Sequence, residues 1–410
     1  MNFELFISRR LSESKINQQY YSGPITKICI ASIAICVIIM IATISIGLGI
    51  QKHTTTKIIN AVSDITIQPK YPKKLNPTIC LDNTTLETIK NLKGTHTEPV
   101  SEIKAIINTN NNTEYILLKG VQEKTYKSKL INYIDSGNYF SNEINNEIII
   151  SSYLKDKLGL NIGDKCIIHY HNGQKNSKSP FKIIGSYKMD LIDYFDAIYV
   201  FAKKEQIQKT NFIMTDNKYT KWHDICAPNG LVSYYEINTN NNHTINEKIK
   251  NLILYNEYDI FAQSAQDRIP KIFEWLDILY NNVFFILIIM FIICIINMTN
   301  VLLILILERL KMIGTLKSFG CSNLSIIKIF THTIWRITKK SLIVGNLIGL
   351  SLCLIQKTTK IISLNPEIYF SNHIPIDFNI KYIIIINIIT FIIIHISLIV
   401  PYYIIKKITP

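Results

Sequence analysis

The chain has 410 residues, 48 % apolar and 18 % charged, with 44 Lys and Arg against 30 Asp and Glu for a net charge of +14. A mean hydropathy of +0.18 is too apolar for an ordinary soluble enzyme, and the length allows two or three folded units. The positive charge is gathered in short segments beside apolar runs rather than spread along the chain, which points to a membrane and away from a nucleic-acid partner.

Segment 1–27 carries Arg9, Arg10, Lys15 and Lys27 and leads into an uncharged run, 28–50, of 23 residues. That run exceeds the core of a cleavable signal sequence and lacks a small-residue cleavage site, so it is expected to stay as a membrane anchor. Residues 51–282, about 230 of them, are long enough to fold with a core of their own. Short β-prone runs fall at Glu147 to Ser152, Cys166 to His171, Phe181 to Gly185 and Ala197 to Phe201. Leu154 to Leu160 has helical spacing and ends at the turn Gly163-Asp164, so a mixed α/β domain is expected. The Asn-rich stretches Asn108 to Thr113 and Asn238 to Thr244 read as surface turns. Cys80, Cys166 and Cys226 are odd in number and irregular in spacing, which argues against a disulfide framework. His169 and His171 point the same way from a strand but have no third ligand in sight, so no metal is expected.

Ile269, Ile272, Phe273, Leu276, Leu279, Tyr280 and Val283 keep a helical rhythm that enters a second uncharged run, 283–307, of 25 residues. A helix continuous from domain to membrane would carry force. After a connecting segment, 308–330, the third span, 331–355, is the weak one: only Ser341 to Ile355 is uncharged, so Arg336, Lys339 and Lys340 must snorkel toward the headgroups. A loop, 356–381, precedes a fourth apolar run, 382–405, and a short tail, 406–410. The expected fold is thus an α-helical membrane protein with four transmembrane helices and an exported α/β domain.

With four crossings, segments 1–27, 308–340 and 401–410 share one side and hold thirteen basic residues against three acidic, whereas 51–282 is nearly balanced. Short basic loops stay in the cytoplasm, so both termini are expected there, with the large domain on the other side of the membrane. No Gly-Lys pair occurs, which excludes a P-loop on this chain, and H-E-x-x-H, G-x-S-x-G and G-x-G-x-x-G are absent too. The chain reads as a non-enzyme. Asn297, Asn300, Asn346, Asn387 and His395 lie within the spans, but no carboxylate does, which disfavours an ion-coupled carrier.

Between spans two and three, Glu308 and Arg309 sit where a helix leaves the bilayer. Gly314 and Gly320 are expected to bracket a short amphipathic helix with Ile313, Leu316 and Phe319 on one face and Lys311 and Lys317 near it, and Ser322 to cap the next helix. Taken alone, such a helix could simply connect two spans at the membrane surface.

The run Glu308-Arg309-x-x-Met312-Ile313-Gly314-x-Leu316-Lys317-x-x-Gly320-x-Ser322 resembles the E-R-x-x-E-I-G-x-L-K-A-x-G-x-S signature of FtsX-like ABC permeases. In that family this segment is the cytoplasmic helix that docks on the ATPase. Met312 stands where many relatives have Glu. Leu158-Gly-Leu-x-x-Gly163-Asp164 looks like the L-x-x-G-D turn of the family's periplasmic core domain, and a short amphipathic stretch, Phe3 to Leu11, precedes span one as it does there. Ile272-Phe-x-Trp275-Leu, Asn297-Met298 and Val344-Gly-Asn-Leu-Ile-Gly349 are similar to the lipoprotein-releasing LolC/LolE branch. The resemblance implies a transport subunit that works beside a second permease, like or unlike, and ABC ATPase subunits that carry the ATP and Mg. The implied cargo is a lipoprotein, lifted from membrane lipid toward a soluble periplasmic carrier. A macrolide-exporter or division-type permease is the neighbouring alternative, and a membrane-tethered receptor the alternative from another class.

The charge asymmetry makes a direct prediction. Reporter fusions after Leu11 and Ile326 should read cytoplasmic and a fusion after Lys175 exported; an exported reporter at Ile326 would rule out four crossings.

Overall fold

The computed structural model describes residues 22–70, 79, 81–109, 112–122, 129–140, 146–171, 176–191, 195–210, 232–240, 243–256 and 259–397. They group into two units, one built on residues 54–274 and 365–371, the other on residues up to 53, 275–364 and from 372 onward. Phe3 to Leu11, Cys80, Cys226 and the end of the fourth apolar run lie outside the described residues.

The first unit is organised by strands β1 (Ile65–Pro69), β2 (His96–Asn108), β3 (Thr113–Val121), β4 (Ile134–Gly137), β5 (Glu147–Ser151), β6 (Lys165–His171), β7 (Asn176–Tyr187), β8 (Tyr199–Lys203), β9 (Tyr234–Asn238) and β10 (Ile260–Ser264). The 13-residue β2 serves two sheets at once. Its first half pairs with β9, in the order β10-β1-β9-β2. Its second half starts a circuit of pairings, β2-β3-β8-β5-β7-β6, that returns to β2.

Closure removes the open edges at which sheets aggregate. It also explains the strict alternation in β6, where Cys166, Ile168 and Tyr170 are buried and the residues between them are not. The inward set, including Ile103, Ile107, Ile116, Leu118, Ile148, Ile150, Phe181 and Val200, forms one apolar core. Burial pushes the free Cys166 thiol up to about 12. Among the strands expected from the sequence, 147–152, 166–171, 181–185 and 197–201 fall within or overlap β5 to β8, and the helical stretch between the first two is Ser152–Leu158. Ser151 caps that helix through Leu154 N–H, and Gly159, at φ +66°, ends it in the left-handed conformation that glycine adopts without a Cβ clash. The Asn108 to Thr113 stretch is the β2–β3 turn. Helices Asn83–Asn91 and His243–Asn256 cover the smaller sheet through Leu86, Ile89, Ile249 and Ile253 against Ile65, Ile67, Tyr235 and Ile237.

A buried ionic cluster marks the end of the helix Ser22–Val62. Lys119 Nζ donates to Glu236 Oε1 at 2.6 Å and to the Ala61 carbonyl at 3.2 Å, one of the helix's unpaired terminal acceptors. Ser63, itself at φ +64°, donates to Glu236 Oε2. Burial lowers the affinity of Lys119 for its proton, while Lys119 and Lys129 hold the Glu236 carboxyl below its usual range against its own desolvation. Removing one partner from such a pair leaves an uncompensated buried charge, at a cost of about 3–5 kcal/mol.

The second unit is helical. Its long elements are Ser22–Val62 (41 residues, α1), Pro270–Glu308 (39, α7) and Asn323–Thr359 (37, α9), with Ile380–Ile396 (17, α11) shorter. Three helices are therefore long and apolar enough to cross a membrane; at 17 residues α11 falls short among the described residues, and residues 398–410 are not described, so four crossings become part of the proposal below. Of the 269–283 stripe, Ile272 to Val283 lies in α7 as one helix, while Ile269 precedes it in non-helical geometry. The third apolar run lies in a helix that begins at Asn323 and continues to Thr359, with Arg336, Lys339 and Lys340 on the turns that precede the uncharged stretch.

Gly345 and Gly349 let α9 approach α1 closely: an added Cβ at Gly345 would lie 2.8 Å from Val37 Cβ, and one at Gly349 3.3 Å from Ile38 Cα. Asn297 donates to Ser32 Oγ at 2.7 Å, and Asn346 and Asn387 exchange hydrogen bonds at 2.6 and 2.9 Å, which joins α9 to α11. The polar groups inside the apolar runs thus serve as fasteners between helices.

Glu98 is expected to make the strand-rich unit pH-sensitive. Both carboxylate oxygens are buried without a hydrogen bond, Lys129 is 3.8 Å away, and burial pushes the carboxyl up from 4.5 to about 7. Between those values the folded chain holds a proton that the unfolded chain has lost, so stability falls as pH rises through this window. Asp196, pushed by burial to about 6, acts in the same direction. Glu98→Gln should flatten the fall in melting temperature of the full chain between pH 5 and pH 8 and raise stability at pH 8; an unchanged pH profile would refute this.

Candidate coupling surface

The site begins where α7 stops. Arg309, at φ −108° and ψ 14°, leaves helical geometry directly after Glu308, and a nine-residue helix, Leu310–Ser318 (α8), follows at once. The Ile313 N–H to Arg309 carbonyl bond, 2.9 Å, closes its first turn. Ile313 anchors it: this side chain is buried among Ile306, Ile326 and Phe330. Met312, Leu316, Lys317 and Arg309 are half-buried beside that anchor.

The helix ends in two backbone bonds, Gly320 N–H to the Lys317 carbonyl at 2.9 Å and Cys321 N–H to the Leu316 carbonyl at 3.0 Å, with Gly320 at φ +82°. This is the Schellman termination, and it requires the left-handed residue that glycine supplies. Ser322 then caps α9, accepting from Ser325 N–H at 3.2 Å. Two residues, Gly320 and Cys321, thus separate the C-cap of one helix from the N-cap of the next, so the corner has no slack.

Two placements differ from the sequence expectation. Gly314 lies inside α8 rather than at its edge, and an added Cβ there would meet no other atom within 4 Å. Phe319 does not share the buried face of Ile313 and Leu316; it is the C-cap residue, off the helical screw, and is 84 % exposed. The sequence carried the signal, since a residue just before a left-handed glycine stands at a C-cap and no longer follows the 3.6-residue period.

The outward face of α8 therefore comprises Lys311, Gly314, Thr315 and Ser318, with Phe319 at its tip and Leu324 exposed on the next helix. Thr315 and Ser318 turn their hydroxyls back to the carbonyls of Lys311 and Thr315. Between Glu308 and Glu367 the chain has no acidic residue. The result is a surface with one outward cation, Lys311, near the exposed Glu308, an apolar knob at Phe319 and, at the half-buried Gly314, open space where a side chain would stand. Glycine within a helix costs about 1 kcal/mol relative to alanine, which a mere connector gains nothing by bearing. Among the described residues no group of three His, Cys, Asp or Glu side chains converges to hold a metal.

Comparison with known proteins bears on both units. The model of the FtsX-like permease C-terminal family matches residues 284–410, and that of the MacB-like periplasmic core domain matches residues 26–220. Among solved structures, the extracellular domain of the noncanonical ABC-type transporter YknZ from Gram-positive bacteria is 14 % identical, with 49 % of this chain and 97 % of that one covered at a TM-score of 0.30. A domain assigned to a permease protein of Porphyromonas gingivalis is 8 % identical, over 50 % of this chain and 89 % of that one, at a TM-score of 0.24. No curated protein matches the chain.

Proposed function

The chain belongs to the FtsX-like ABC permease family, and from that premise we propose that it is the membrane subunit of a transporter that releases lipoproteins from the inner membrane by transmitting mechanical work. ATP and Mg belong to a partner ATPase; Glu308, Arg309, Met312, Ile313, Gly314, Leu316, Lys317, Gly320 and Ser322 form the coupling segment, and the ATPase docks on its outward side, at Lys311, Gly314, Thr315, Ser318 and Phe319. Within that segment this reading divides the roles. Ile313 and Leu316 hold α8 in place, Gly320 and Ser322 fix the corner, and Gly314 with Lys311 and Phe319 faces outward. Movement imposed on the corner passes into α7 and α9, because neither joint has a flexible linker to absorb it. A second permease, identical or homologous, completes the assembly; both termini are cytoplasmic, α11 with the residues beyond it makes the fourth crossing, and the β-rich unit meets cargo and carrier in the periplasm.

The observation that carries this reading is a short helix pinned by one buried isoleucine between two long helices, whose other face presents Lys311, has no side chain at Gly314 and is tipped by an exposed phenylalanine. A macrolide-exporting role is the second reading, favoured by the match to the MacB-like core domain. The two separate in cells: depletion should leave acylated lipoproteins in the inner membrane with macrolide sensitivity unchanged, and the reverse pattern would select the exporter.

Docking is tested on the corner itself. Gly314→Trp, which adds bulk where close approach is expected, and Phe319→Ala, which removes the knob, should leave insertion and melting temperature unchanged. Each should lower co-purification of the ATPase about tenfold or more, since about 1.4 kcal/mol lost at an interface is a factor of ten. Lys178→Glu on an exposed strand position of the other unit is the control. Normal ATPase retention in both corner variants would remove the docking role.

A further inference from the structure

Of Asn297, Asn300, Asn346, Asn387 and His395, all within apolar runs, four bond inside the chain. Asn297 reaches Ser32, Asn346 and Asn387 pair with each other and also with carbonyls of their own helices, and the His395 ring meets the Phe391 carbonyl at 2.8 Å. Asn300 does none of this. It is exposed on α7, and among the described residues neither a side chain nor a carbonyl pairs with its carboxamide.

Its depth makes that costly. The uncharged run 283–307 centres on Ile295, so Asn300 stands about 7.5 Å from the middle of a hydrocarbon layer whose half-thickness is about 15 Å. Lipid tails at that level neither donate nor accept, and an amide without a partner is disfavoured there. At 3.6 residues per turn, Phe285, Ile289, Ile292, Ile296, Asn300 and Leu307 fall within about a quarter of the helix circumference, and all are exposed. The opposite side, with Cys294, Met298, Val301 and Leu305, is buried in the core of the helical unit. The outward face of α7 is thus an apolar stripe interrupted by one carboxamide.

A membrane narrows what can cover that face. Every copy of the chain inserts with the same topology, so a two-fold axis along the bilayer normal sets two α7 helices side by side and parallel and brings Asn300 of each copy to the same depth. A carboxamide is its own complement, with an acceptor oxygen and two donor hydrogens, and Asn346 and Asn387 already exchange such bonds at 2.6 and 2.9 Å inside the chain. We propose that the outward face of α7 packs against the same face of a second copy, with the two Asn300 carboxamides hydrogen-bonded to each other across the axis. The inference rests on the preceding reading only in narrowing its second permease to an identical chain; the contact itself needs neither an ATPase nor a lipoprotein cargo.

The test uses two full-length copies with different affinity tags, co-expressed and recovered from mild detergent through one tag, with the other tag counted. The unaltered chain should bring its second tag with it. Asn300→Leu in both copies, which keeps the bulk and removes the amide, should lower that recovery about fivefold or more, as expected for two interhelical carboxamide bonds. Asn300→Gln keeps the amide and should retain most of it. Ser351→Leu, which removes a polar group from an exposed position on α9, should recover the second tag like the unaltered chain. A photocrosslinking amino acid in place of Asn300 should join the two tags covalently in cells. Equal recovery by Asn300→Leu and the unaltered chain overturns the proposal, as does an adduct at position 300 only with lipid or only with a different permease. If the corner variants of the preceding section keep their ATPase while Asn300→Leu loses the second tag, the docking role is wrong and the contact between copies stands. If the corner variants lose the ATPase while Asn300→Leu keeps the second tag, docking stands and the contact between copies is wrong.

Discussion

Unbroken backbone hydrogen bonding along three helices of 41, 39 and 37 residues is the constraint on which the other features depend. Each is longer than the apolar part of a bilayer, so each must project beyond it. A projecting helix has end groups to satisfy and a lever's length to steady, and the polar features of the chain cluster at these ends. Lys119 reaches the Ala61 carbonyl at one end of α1, and Ser322 supplies the first cap of α9. Two of the boundaries between the units, His53/Thr54 and Glu274/Trp275, fall inside helices, whereas Leu364/Asn365 and Ser371/Asn372 fall in non-helical segments.

The two units use polarity differently. In the strand-rich unit, charge is buried: Lys119 and Glu236 are almost wholly enclosed, and Lys57 pairs with Asp190 at 3.2 Å while also donating to the Phe370 carbonyl at 2.8 Å. Such pairs cost desolvation, and their gain is a fixed geometry around the end of a helix. In the helical unit the fasteners are neutral, asparagine to asparagine and asparagine to serine, with glycine bringing backbones together. Neutral fasteners avoid placing a charge in hydrocarbon.

Much of this was legible in the sequence where one local rule decides. Runs of uncharged residues locate the long helices, the stripe from Ile272 onward gives the continuous α7, and Ser322 is read directly from capping chemistry, whereas the helix expected to run to the Gly163-Asp164 turn ends earlier, at Gly159. The closed circuit of six strands was not legible, because pairing such as β2 with β6 or β3 with β8 joins residues far apart and leaves no local period. Strands β1, β2, β3, β9 and β10 escaped for a related reason: they are isoleucine- and tyrosine-rich stretches in a chain where isoleucine is common everywhere. At the corner, the amphipathic pattern placed Ile313 correctly and Phe319 on the wrong face, since periodicity was carried one residue past the point where the helix ends.

The central claim is that the outward face of α8 is where an ATPase pushes. A photocrosslinking amino acid at Thr315, in living cells, measures this most directly. The account predicts a covalent adduct with an ABC ATPase chain at Thr315 and none at Ile384, a lipid-level position on α11. Adducts at Thr315 only with lipid, or only with this chain itself, would contradict it.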